Sequence, residues 1–125
     1  MYINEVSGWV IDAAIKVHRF LGPGLLEKAY HACLRYELEK RGHKVSSHLA
    51  IPVVYEGCEV DSAYRLDLLV EGLVVVEVKA VEVLLPVHEA QLLSYLRLGG
   101  YKLGLLINFN VLLLKDGIRR KVNNL

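Results

Sequence analysis

Apolar residues recur at helical spacing through Ile3, Val6, Val10, Ala14 and Val17, which predicts a first amphipathic helix with Asn4 or Ser7 available near its start. "LGPG" at 21–24 stops it. A second helix is expected from about Leu25 to Arg41, carrying Leu26, Ala29, Tyr30, Cys33 and Leu34 inward and closed by Gly42 as a left-handed cap. The pattern then turns to strands. "AIPVVYEG" (50–57), "AYRLDLLVEG" (63–72) and "LVVVEVKA" (73–80) read as an antiparallel meander with tight turns at Gly57 and Gly72. Pro86 opens a third helix, "PVHEAQLLSYLRLGG", which ends at Gly99 and Gly100, followed by the apolar strand "KLGLLINF" and a final hairpin around Asp116 and Gly117. Strand, helix and strand make a crossover unit, so 73–79 and 102–108 are expected to run parallel. The sum is a mixed α/β sheet covered by helices, in a single domain spanning 1–125.

A chain of 125 residues fits one hydrophobic core. At 54% apolar residues and a mean hydropathy of +0.33 it is rich in apolar surface for its size, and part of that surface is expected to pair with a second copy. The net charge of +1 gives no global basic field of the kind that announces nucleic acid. "MYINEVSGWVID" lacks the basic start and apolar core of a signal peptide, and no apolar run approaches a membrane span, so a cytoplasmic location without membrane contact is expected. Cys33 and Cys58 lack CxxC spacing and suit reduced, partly buried thiols. "HEAQL" at 88–92 begins like the zinc motif HExxH but ends in Leu92.

Within "LVVVEVKA", Glu77 and Lys79 stand two residues apart and point to one face of the strand. Solvated charges on an edge strand are one reading. The crossover argues for an interior strand covered on both faces, where charges are paired, hydrogen-bonded or bound to a metal. Asp67 on the preceding strand can join them only in one kind of register. A two-residue turn at Glu71 and Gly72 pairs Asp67 with Val76 and separates the acids, whereas a three-residue loop, Val70 to Gly72, pairs Asp67 with Val75 and sets it diagonally beside Glu77. The odd loop, or an equivalent bulge, is the expectation. Two close carboxylates repel unless a cation or a proton lies between them, and hard oxygen ligands without a His or Cys cluster select Mg²⁺ or Mn²⁺. Asp67, Glu77 and Lys79 thereby form a coherent phosphodiester-cleaving set.

"RLDLLVEGLVVVEVKA" resembles the core of the PD-(D/E)XK nuclease superfamily, an Asp at one strand end followed by Glu-x-Lys on the next. "GLLEKAY" at 24–30 resembles the signature of the GxxExxY family within it, and "PVHEAQLLSYLRL" and "GLLINF" extend the likeness over nearly the whole chain. In place of the proline that often precedes the superfamily's first acid, Leu66 stands before Asp67. The resemblance implies a restriction-endonuclease-like core with an antiparallel meander and a right-handed β-α-β crossover. It implies Glu27 as a helix-borne acid completing the metal site, although an acid in a helix's first turn also complements the macrodipole. It further implies Gln91 and Tyr95 as a substrate-positioning pair like the QxxxY motif of RecB-type nucleases, with His88 on the same helix face. Tyr30 reads as a core aromatic.

The expected activity is Mg²⁺- or Mn²⁺-dependent hydrolysis of DNA or RNA by Asp67, Glu77, Glu27 and Lys79, with a homodimer or larger partner supplying grip. The rival is an inactive nuclease-fold module for nucleic-acid binding or assembly, in which Arg65, expected opposite Glu77, neutralises that acid. Arg119, Arg120 and Lys121 form the densest basic cluster, either a solvated terminal strand or a hold on nucleic-acid backbone.

Overall fold

Helical periodicity at the start of the chain becomes α1 (Ile3–Leu21) and α2 (Glu27–Lys40) in the computed structural model, which describes residues 1–60 and 64–125. α1 packs Val6, Val10, Ala13 and Ala14, and α2 packs Tyr30, Leu34 and Leu38, against one face of a five-stranded sheet. Leu26, expected inside, precedes α2 as its N-cap and is exposed. Gly42 takes the left-handed conformation expected of it, with φ 92°.

The sheet has the order β1 (Val45–Ala50), β4 (Arg65–Val70), β5 (Val74–Lys79), β6 (Leu103–Asn108) and β7 (Ile118–Val122). β5 and β6 are parallel, joined through α3 (Pro86–Gly99), and the other neighbours are antiparallel. The meander differs from expectation in its first member. Residues 45–50 pair with β4, while β2 (Val53–Tyr55) and β3 (Cys58–Val60) form a separate hairpin whose two-residue turn holds Glu56 and Gly57 at positive φ. The reason is physical: "VSSHLA" carries too little apolar pattern to announce a strand, yet it serves as an edge that needs little burial. Ala63, where the next strand was expected to begin, lies outside the described residues.

Val74, Val75, Val76 and Val78 are buried on both faces of β5, the continuous run a covered parallel strand requires. Even-numbered positions meet α1 and α2, while Val75, with Leu69 and Leu106, meets Leu92 and Leu96 of α3. Cys33 is half-buried, and Cys58 is exposed rather than sheltered.

Two polar side chains fix the ends of elements that matter below. Tyr30 stacks on Phe109 at 4.7 Å between ring centroids, donates its hydroxyl hydrogen to the Gly22 carbonyl (2.6 Å) and accepts from the Leu25 N–H (3.1 Å). It therefore holds the turn from which α2 starts. Asn108, buried at the end of β6, donates to the Val81 carbonyl (2.9 Å) and accepts from the Val81 N–H (3.0 Å), tying down the chain just past Lys79. Tyr30→Phe keeps the stacking and removes both hydroxyl bonds, so urea unfolding should show a loss of about 1–3 kcal/mol, with the Leu25 amide gaining hydrogen exchange before the rest of the core.

Candidate active site

Strands β4 and β5 pair Val70 with Val74, Leu69 with Val75 and Leu68 with Val76, leaving Glu71–Leu73 as a three-residue loop. Glu71 and Gly72 adopt φ 55° and 67°, and the strained Glu71 is secured by its N–H to the Lys44 carbonyl and its carboxylate to the Lys44 N–H, both 2.8 Å. The loop is odd, as expected, but lies one residue beyond Val70–Gly72. Continuing the observed register sets Asp67 directly opposite Glu77 rather than diagonal to it.

Regular pairing gives way there to side chains. The Asp67 N–H donates to Glu77 Oε1 (3.2 Å) and the Val78 N–H donates to Asp67 Oδ2 (2.8 Å). Glu77 is only 6% exposed. Burial, then the charge of Asp67, pushes its pKa up to about 9 despite Lys79, which favours the protonated form of Glu77 near neutrality.

Glu27, in the first turn of α2, feels the same cluster: desolvation raises its pKa, Lys79 lowers it and Asp67 raises it. Lys79 is half-buried and makes no ion pair among the described residues. Asp67 and Glu77 thus meet directly, while Glu27 and Lys79 lie within electrostatic reach of the pair.

Gln91 and Tyr95 approach from the opposite layer. Gln91 Nε2 donates to Tyr95 Oη (2.8 Å), and the pair lines a groove of about 580 Å³ with Tyr64, whose ring lies 5.8 Å from that of Tyr95. The Tyr95 hydroxyl is pushed upward by burial and by Glu77. His88 is engaged elsewhere: its Nδ1 accepts the Leu85 N–H (3.0 Å) and its own N–H reaches the Leu85 carbonyl (2.9 Å), capping α3.

Arg65, expected to face Glu77, is exposed and donates to the Tyr64 carbonyl (3.0 Å). The basic cluster on β7 is bound to its own chain, Lys121 to Glu89 (2.7 Å), Arg120 to Asn4 (2.8 Å) and Arg119 to the carbonyls of Asp116 and Ile118.

His31 and His48 went unnoticed in the sequence. With Glu27, Lys28, Ala32 and Asp67 they line a cleft of about 440 Å³. His31 lies one turn after Glu27, a spacing that puts both on one side of α2 and was the available signal. His48 carried none, because its strand was not expected.

Helices on both faces of a mixed sheet, with acids meeting where two central strands part, define a nuclease-type α/β core. Residues 4–121 match the profile of the PD-(D/E)XK nuclease superfamily, and the chain belongs to it. No curated protein and no solved structure gives a match. Nucleases of this superfamily generally use divalent metals, and the donor chemistry here fits one: two hard carboxylates forced together, each with one oxygen already oriented by a backbone N–H. Among the described residues no three His, Cys, Asp or Glu side chains are already gathered for a metal.

Because Glu77 titrates higher in the folded chain than in the unfolded one, the stability it contributes is complete below pH 4.5 and is lost as pH rises toward about 9. Metal-free protein should therefore lose stability across that window, and Glu77→Gln should flatten the loss, gaining roughly 1–3 kcal/mol near pH 8. A divalent ion held by this pair would release close to one proton at neutral pH, measurable by calorimetry in buffers of different ionisation enthalpy.

Proposed function

We propose that this chain is a nuclease hydrolysing phosphodiester bonds of DNA or RNA with Mg²⁺ or Mn²⁺. One observation carries the reading: the Asp67 and Glu77 carboxylates meet in the sheet, each held by a backbone N–H of the facing strand, while Lys79 makes no ion pair among the described residues. Asp67 and Glu77 would hold the cation, and Glu27 would serve as a further ligand or anchor a water. The bound ion supplies a polarised water and neutralises charge on a phosphate oxygen.

The chain's own groups account for the rest. The Lys79 ammonium, kept near the acids by the Asn108–Val81 tie, stabilises negative charge building on the phosphorus-bound oxygens. Tyr95, oriented by Gln91, places a hydroxyl donor on the α3 side of Glu77 to orient substrate. A core this small lacks an evident clamp, so a second copy or a larger partner supplies the remaining grip.

The inactive-module reading is weakened by Arg65, which is turned to Tyr64 instead of neutralising Glu77. Glu77→Gln and Lys79→Ala should each reduce cleavage of labelled single- or double-stranded DNA or RNA in Mg²⁺ or Mn²⁺ by at least roughly 10³-fold. Circular dichroism should stay unchanged. Full cleavage by both variants would remove the mechanism, and absence of cleavage by the unaltered protein on all four substrates would favour the module.

A further inference from the structure

The β1–β4 register pairs Ser47 with Leu68 and Leu49 with Leu66, which sets His48 opposite Asp67. His48 therefore lies next to Asp67 where the regular β4–β5 pairing ends and Asp67 and Glu77 meet through side chains. At that point His48 adopts φ 53°, a left-handed backbone inside a β-strand that an L residue keeps only when its surroundings impose it.

Its ring stacks on that of His31 from α2, with centroids 4.8 Å apart and planes within 2° of parallel. The chain's other three histidines are occupied: His18 with the Val111 carbonyl (2.7 Å), His88 with Leu85, and His43 beside Glu71 (3.6 Å). Among the described residues neither His31 nor His48 has a side-chain hydrogen bond, and Lys28 has no ion pair. The cleft they share is two-sided, with Glu27 and Asp67 among its acids and Lys28, His31 and His48 as its donors.

We propose that His31 and His48, with Lys28 beside them, form a subsite for a non-scissile phosphate of the nucleic-acid backbone. This rests on the nuclease reading and adds the direction in which the strand leaves the acids: across β1 and α2. Uncommitted ring N–H groups and an ammonium suit a phosphate oxygen. At its left-handed backbone His48 stacks its imidazole on His31 in the cleft that Asp67 also lines.

Binding is measured with fluorescein-labelled ten-nucleotide single-stranded DNA and RNA in EDTA, so that neither metal nor turnover contributes. The double variant His31→Ala/His48→Ala should weaken binding roughly 10- to 100-fold and flatten its salt dependence. In metal, the loss should appear in KM rather than kcat, with His31→Asn/His48→Asn restoring part of it. His48→Gly, which relieves the backbone, should match or exceed the unaltered Tm and still bind more weakly. NMR of the histidine rings should show the His31 and His48 signals moving on addition of the DNA or RNA, whether or not cleavage occurs. Ring shifts without cleavage would leave the subsite standing and remove the nuclease reading. Cleavage with unchanged KM and binding in the double variant would do the reverse. A loss confined to kcat, or a fall in Mn²⁺ affinity matching that of Asp67→Ala, would overturn the subsite by making the rings catalytic groups or metal ligands.

Discussion

Two carboxyl groups pressed together in the interior of a sheet are the constraint around which this molecule is organised. Backbone N–H groups of Asp67 and Val78 donate to the facing side chains where further regular strand pairing would otherwise continue. That exchange orients one oxygen of each acid. Desolvation and mutual repulsion then leave room for only one negative charge unless a cation arrives. The ammonium of Lys79 lowers the pKa of Glu77 but does not offset burial and the charge of Asp67.

Everything that positions this pair is rigid on the apolar side. α1 and α2 cover one face and α3 the other, so β5 cannot shift without disturbing two cores at once. Tyr30 ties the start of α2 to the turn before it, and Asn108 ties the end of β5 to β6. The acids therefore come from elements whose ends are fixed by buried hydrogen bonds, the condition under which a polar cluster keeps its geometry.

Most of the fold was legible because its strongest signals are periodic. The three helices, the crossover and the parallel pairing of β5 with β6 follow from apolar spacing, Pro86 and the glycine stops. Asp67 and Glu77 were legible through the odd loop at Gly72, with one residue of error in its placement. The first strand of the meander was not, since an exposed edge such as Val45–Ala50 needs no apolar alternation, while the genuine apolar pattern of 50–57 belongs to a side hairpin. Arg65 shows a different limit: register predicts which face a residue occupies, but a long side chain there can turn to its own backbone. His48 lay beyond reach because its position depends on a local backbone reversal that no spacing encodes.

The left-handed turn at His48 also bears on how copies of this chain can meet. An edge strand with a straight run of free N–H and C=O groups is a template on which another chain can lengthen the sheet. On β1 that run is broken in the middle, and on the opposite margin β7 presents Arg119, Arg120 and Lys121. Both borders are thus poor templates for a sixth strand, which leaves the helical surfaces, where Phe20 and Tyr36 stand exposed, as the remaining apolar ground.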